Sequence, residues 1–176
     1  QYRHDLLADA PRFQKVLDLA AEKANWGSPL AENHGRGIAI HKSFGTIVAQ
    51  VVEVEVTDGK VRAHRVVCAV DAGFSMHPDG MRAQMESGII YGLTAALYSN
   101  ISIHQGAVAQ SNFHDYPSLR MHEMPFINVY LVKNSEPPGG VGEIGVPPIA
   151  PAVANAVFAA TGKRVRKLPI HLNKLI

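Results

Sequence analysis

Between Pro137 and Pro148 the chain reads Pro-Pro-Gly-Gly-Val-Gly-Glu-Ile-Gly-Val-Pro-Pro, and Glu143 is the one charged side chain in that stretch. Its nearest charged neighbour in sequence is Glu136. If the loop is buried, desolvation raises the carboxyl pKa toward the range of a general base or acid. The glycines would let backbone amides approach a ligand closely, and a helix starting near Pro151 would aim its positive end at an anion. On an exposed loop the same residue is an ordinary solvated glutamate. The residues alone leave both readings open.

Other chemistries are tested by spacing. Gly140 to Gly145 fits G-x-G-x-x-G literally. A dinucleotide fingerprint needs a strand directly before the glycines, a helix opening at them and an acid about 20 residues on. Pro137-Pro138 and Pro147-Pro148 deny the first two, and no acidic residue follows Glu143. None of the nine histidines forms H-E-x-x-H or a close His-x-His pair, so no protein-ligated zinc site is expected. There is no G-x-S-x-G elbow, and Gly162-Lys163-Arg164 lacks the rest of a P-loop. Cys68 is the only cysteine, which excludes an intrachain disulfide and a thiolate cluster; its apolar run Val66 to Val70 predicts a buried, inert thiol.

The elements that must position Glu143 follow from periodicity. Asp9-Ala10-Pro11 predicts a helix start, with Phe13, Val16, Leu17, Ala20 and Ala24 on one face and Trp26-Gly27 ending it. Gly27 to Gly37 reads as a connector into extended sequence. Val52, Val54 and Val56 alternate with Glu53 and Glu55, a strand with one wet face; Asp58-Gly59 turns it into a second strand, Val61 to Val70. A helix is expected over Pro78 to Tyr98, where Gly88 and Gly92 make a shallow face suited to close helix packing. A second hairpin follows around Gln105-Gly106, then an irregular stretch from Asn112 to Pro117, a strand from Ile127 to Val132, and a helix from Pro151 to Thr161 with Gly162 past its end. Strands arrive as hairpins rather than alternating with helices, so the fold class is α+β, with hairpin-rich sheets and packed helices.

Composition bounds the partners. The chain has 176 residues, 47% hydrophobic and 18% charged, and a net charge of +2, which argues against disorder and against a nucleic-acid surface. The basic residues after Glu143 (Lys163, Arg164, Arg166, Lys167 and Lys174) form a C-terminal edge that is either solvated or bound to an anionic partner. The uncharged stretch Ile144 to Gly162 mimics a membrane span, but its prolines leave about 12 helical residues, roughly 18 Å, against a bilayer core of about 30 Å. A buried core helix is expected instead. The chain opens Gln1-Tyr2-Arg3, without an apolar leader, so no signal peptide is expected in it.

Several segments, in order, resemble one family: Gly35 to Ala39, Ala49 to Val54, Val70-Asp71-Ala72-Gly73, Arg82 to Gly88, Asn112 to Tyr116, Gly139 to Pro148 and Ala150 to Gly162. From about Ala10 to Ile170 the chain is similar to the C-terminal part of the molybdenum-binding subunit of xanthine oxidase-family hydroxylases. The resemblance is to the isoquinoline 1-oxidoreductase β-subunit and aldehyde dehydrogenase-like branch in particular. It implies that residues 1–176 are a C-terminal molybdopterin-binding region of a larger catalytic subunit. It also implies molybdopterin cytosine dinucleotide with molybdenum, and 2Fe–2S clusters on a partner subunit with a cytochrome c as a further acceptor. The compartment would be the bacterial cytoplasm or a periplasmic, membrane-associated complex. The glutamate matching Glu143 would take the proton of the molybdenum-bound hydroxyl as its oxygen attacks an electron-poor carbon of an N-heterocycle or aldehyde. Gln84, Gly88 and Gly142 match segments along the cofactor. Two positions depart from the family pattern: His77-Pro78 replaces Asn-Pro, and Ser87 replaces the first glycine of Gln-x-Glu-Gly-Gly. The resemblance predicts inactivity without the remaining subunit segments. The rival reading is a non-catalytic assembly or binding domain acting through the basic C-terminal edge.

Overall fold

The computed structural model describes residues 1–171, so Lys174 of the basic edge lies outside the described residues. After a four-residue helix α1 (Tyr2–Asp5) come α2 (Pro11–Lys23), strands β1 (His34–Ser43), β2 (Thr46–Thr57) and β3 (Lys60–Asp71), and helix α3 (Pro78–Leu97). A short hairpin, β4 (Ile103–His104) and β5 (Ala107–Val108), a single 3-10 turn (Met121–Glu123), β6 (Phe126–Leu131) and α4 (Ile149–Thr161) complete it. The main sheet has the order β1-β2-β3-β6; the first three strands form an antiparallel meander, and β6 joins β3 in parallel. The α+β class is therefore observed, with a mixed sheet.

The sheet is covered on both faces. Ile47, Ala49 and Val51 of β2 pack with Val16, Leu17 and Ala20 of α2. Val48, Val52 and Val54 pack on the opposite face with Met85, Ile89 and Leu93 of α3 and Val153 and Ala156 of α4. This two-sided burial is why Thr46 to Val52 reads as one apolar run, while the alternation appears only further along the strand. A 13-residue helix is about 20 Å long and a 12-residue strand about 40 Å, so α2 covers only half of β2. Beyond its end the sheet face is wet, and there stand Glu53 and Glu55. Arg36 and Arg65 meet Glu53 at 2.9 and 3.5 Å. They also donate to the carbonyls of Asn25 and Lys23 at the end of α2, where cations complement the helix terminus.

One expectation is corrected. The connector ends earlier than Gly37, because β1 already begins at His34. Gly35 and Gly37 are strand residues against which α4 lies: a Cβ on Gly37 would sit 2.2 Å from the Ala152 carbonyl oxygen, and one on Gly35 would sit 2.0 Å from that of Ala156. These glycines serve helix–sheet contact, not a turn. The other elements form where expected, with small boundary changes. Asp58-Gly59 and Gln105-Gly106 both have two positive φ angles, as two-residue hairpin turns demand. So does an unforeseen third turn, Phe44-Gly45. Gly162 ends α4 at φ 72°. No helix among the described residues is long and apolar enough to cross a membrane. Cys68 is fully buried, and burial pushes its thiol up to about 12.

Candidate functional site

The Pro137–Pro148 loop lies on the ends of β1, β2 and β3 and is held by four hydrogen bonds. Gly139 N donates to Ala72 O (2.8 Å) and Gly140 N to Phe44 O (2.8 Å). Thr46 Oγ1 donates to Gly140 O (2.7 Å), and Gln50 Nε2 to Gly145 O (2.8 Å). Close packing explains Gly139, where a Cβ would fall 2.4 Å from Thr46 Oγ1. The loop then turns sharply, Val146 N bonding Glu143 O at 2.9 Å, and enters α4.

Gln50 went unassigned in the sequence, although a lone amide in the run Thr46 to Val52 is the signal that marks it. It is fully buried, and its Oε1 has no hydrogen-bond partner among the described residues. Across the ladder from it lies Cys68, whose sulfur can accept from the Gln50 amide, which offsets a little of the burial effect on the thiol. A buried amide ties the loop to the centre of the sheet, at the cost of one unsatisfied acceptor.

The opposite wall comes from α3. His77 caps it, its Nδ1 accepting from Gly80 N at 2.7 Å, so the replacement of Asn by His before Pro78 preserves a cap. Gly88 is buried against the loop: a Cβ there would lie 3.1 Å from Gly145 Cα, and a Cβ on Gly145 would lie 2.9 Å from the Met85 carbonyl oxygen of the same helix. The shallow face thus serves packing, as expected from its spacing. Gly92 continues it, its Cβ position 2.2 Å from Ile149 Cγ2 of α4.

These contacts bring the expected site residues together with different roles. Gly88 is part of the loop–helix seam. Gln84, one residue before Met85, is exposed, and Gly142 and Glu143 are exposed on the loop three and two residues before Gly145. The condition of a buried loop is therefore not met for Glu143 in this chain. Its surroundings, Gly142 above all, are open: a Cβ on Gly142 would meet nothing within 4 Å, and its φ is not positive. Neither packing nor backbone conformation among the described residues requires glycine there. Bare backbone at Gly142, an amide at Gln84 and a carboxylate at Glu143 are thus exposed on the two elements that meet at the Gly88–Gly145 seam. The clefts of about 660 Å³ lie elsewhere, one of them between the β2–β3 turn and Tyr98, Leu119 and Glu123. In that cleft Tyr98 donates to Glu123 at 2.6 Å, and burial together with the carboxylate raises the phenol to about 12.

The Asp-x-Gly element is a structural anchor. Asp71, 1% exposed, accepts two bonds of 2.9 Å from Arg12, one of 3.1 Å from Gly73 N and a further one from Asn134 Nδ2. Desolvation works to raise this carboxyl, but the Arg12, Gly73 and Asn134 bonds together hold it below the usual carboxylate range. The network joins α2, β3 and the segment that enters the glycine-rich loop.

Comparison with known proteins agrees with this architecture. Residues 9–125 match a family model described as a molybdopterin cofactor-binding domain. The isoquinoline 1-oxidoreductase subunit beta of Brevundimonas diminuta is 39% identical over 94% of this chain and 22% of its own length. A membrane-bound aldehyde dehydrogenase of Gluconacetobacter polyoxogenes, named as a pyrroloquinoline-quinone enzyme, is 32% identical over 95% of this chain and 22% of its own. Among solved structures, quinoline 2-oxidoreductase from Pseudomonas putida 86 superposes with a TM-score of 0.68 at 18% identity, over 73% of this chain and 18% of that one. The chain spans 22% of the length of the first two relatives. With the family model matching well over half of it, the chain belongs to the molybdopterin cofactor-binding domain family, that of the molybdenum-binding subunits of xanthine oxidase-type hydroxylases.

Proposed function

We propose that this chain is the C-terminal section of a molybdenum hydroxylase catalytic subunit and that Glu143 is its general base. The reaction is hydroxylation of an N-heterocycle or oxidation of an aldehyde with water-derived oxygen. The observation that carries the reading is the contrast within one loop: four hydrogen bonds fix its backbone to the sheet, while Gly142 and Glu143 stay exposed beside a Cβ position that nothing fills. A base must be held in place yet face its substrate, and an anchored loop that exposes its carboxylate supports that reading.

Gln84 and the Gly142 backbone would hold the cofactor, with Gly88 keeping α3 close enough to the loop for both to reach it. Bound molybdopterin, in its cytosine dinucleotide form, would supply the oxygen transfer and the two-electron oxidation. Glu143 would take up the proton released as the water-derived hydroxyl adds to the substrate carbon. Exposed in this chain, its carboxylate is open to a substrate held against the loop. Electrons would leave through 2Fe–2S clusters of a partner subunit, with a cytochrome c as terminal partner.

The test is the metal and pterin content of the intact, freshly isolated complex that contains this chain. One molybdenum and one pterin per catalytic unit are expected. A complex lacking both would instead assign the chain an assembly role, with the exposed cations Lys163, Arg166 and Lys167 as its contact surface. Arg164 is less available for that, because its guanidinium stacks 3.5 Å from the Phe158 ring.

A further inference from the structure

Far from the Glu143 loop, on the sheet face beyond the end of α2, three strands each contribute one metal-binding side chain. His34 opens β1, Glu55 is its register partner on β2, and His64 lies on β3. Donor atoms of the three lie within 4.8 Å of one another. No sequence motif announces this set, since its members are 21 and 9 residues apart and meet only through strand pairing.

A defect in the sheet brings in the third member. Register runs Glu53↔Arg65 and then Val54↔Ala63, so His64 is an extra, unpaired residue in a β-bulge. Bulges re-aim side chains, and this one turns His64 onto the face of Glu55, with His64 Nε2 and Glu55 Oε2 2.8 Å apart. The outer contacts are those that metal ligands need. His34 Nδ1 lies 2.9 Å from the Glu32 carbonyl, which can only accept, so the ring proton sits on Nδ1 and Nε2 keeps its lone pair. Thr57 Oγ1 donates to Glu55 Oε1 at 3.2 Å, orienting the carboxylate.

Charge around the cluster leaves the carboxylate free for a cation. Arg36 and Arg65 are engaged by Glu53, and Arg62, the register partner of Glu55, donates instead to the His122 carbonyl at 3.3 Å. His64 is the sole ion-pair partner of Glu55 among the described residues. Glu55 and His64 side chains are 35% and 38% exposed, which leaves a coordination position open to water or to another chain segment.

We infer that His34, Glu55 and His64 form a binding site for a divalent transition-metal ion, with zinc best suited to two imidazoles and a carboxylate. The donors would have to close to about 3.3 Å of one another around a tetrahedral ion, a movement that side-chain rotation out of the present His34–His64 ring stack provides. Such an ion would clamp β1, β2 and β3 where α2 no longer covers them. The role is structural and is independent of the assignment of Glu143.

The full 176-residue chain, stripped with chelator, is titrated with Zn²⁺ by calorimetry and with Co²⁺ by visible absorption. Expected are one equivalent bound, visible Co²⁺ bands of a low-coordinate site, and a thermal midpoint raised by zinc. Glu55→Gln, which keeps the side-chain shape, and His64→Ala should each weaken binding more than tenfold. His104→Ala, on the exposed β4–β5 hairpin, should leave binding unchanged. Circular dichroism of each metal-free variant checks that it is folded. Absence of saturable binding, or equal affinity in folded Glu55→Gln and the parent, overturns the assignment.

Discussion

At the scale of residues, the anchor beneath the site is more exacting than the site itself. Asp71 is buried and satisfied by four donors, while its partner Arg12 keeps a side chain 37% exposed. Removing Asp71 leaves the buried Gly73 N–H and the Asn134 amide without their acceptor and breaks both Arg12 bonds. Asp71→Ala is therefore expected to destabilise the chain by about 3 kcal/mol, the lower end for a broken buried pair, measured by urea unfolding. Its acid response has a definite sign. Asp71 is held below its ordinary value, and Asp115 is pulled down to about 2, chiefly by the backbone N–H groups of Asn112 and Ser111. A lowered carboxyl contributes stability above its unfolded pKa of about 4 and loses it as pH falls through the folded value. Stability should thus be flat from pH 7 to about 5 and decline between about 4 and 2, with the decline reduced in Asp115→Asn.

At the scale of elements, the glycines separate into those that packing or a positive φ demands and Gly142, which neither demands. Gly37→Ala would drive a Cβ into the backbone of α4, 2.2 Å from the Ala152 carbonyl and 2.3 Å from Ala156 N. We expect a loss of about 3 kcal/mol, because neither helix nor strand backbone can yield locally. Gly142→Ala meets open space and should leave stability within about 0.5 kcal/mol, while lowering the pterin content of the assembled enzyme. Thermal unfolding and pterin analysis separate the two effects.

The same contrast explains what was legible beforehand. The β2–β3 hairpin and α3 announced themselves through alternation, Asp58-Gly59 and helical spacing, all local signals. The start of β1 was hidden, since Gly35 and Gly37 look like loop residues until α4 is laid across them. The glycine-rich loop was legible as a feature, but the exposure of Glu143 and the support from Gln50 depend on strands some 90 residues away in sequence. The His34–Glu55–His64 cluster was invisible for a like reason: a bulge has no motif.

At the scale of the whole molecule, large apolar side chains stand on the surface. Met121 is 90% exposed and Phe113 80%, and Phe126 and Tyr91 are also exposed. In the proposed assembly these side chains would face the remaining subunit segments or a partner subunit. Strand β6, exposed at Phe126 and half-buried from Ile127 on, ends the sheet with an edge that no other described strand pairs. In the assembled enzyme, oxidative footprinting should show Met121 and Tyr91 protected relative to the isolated chain; equal labelling would mean that this face stays free. The measurement that bears most directly on the central claim is turnover of the assembled enzyme carrying Glu143→Gln, with molybdenum and pterin determined on the same sample. The account predicts unchanged cofactor content and a kcat lower by about 10²–10⁴-fold, the contribution of a positioned general base. Turnover at the parent rate with a full complement of cofactor would contradict it.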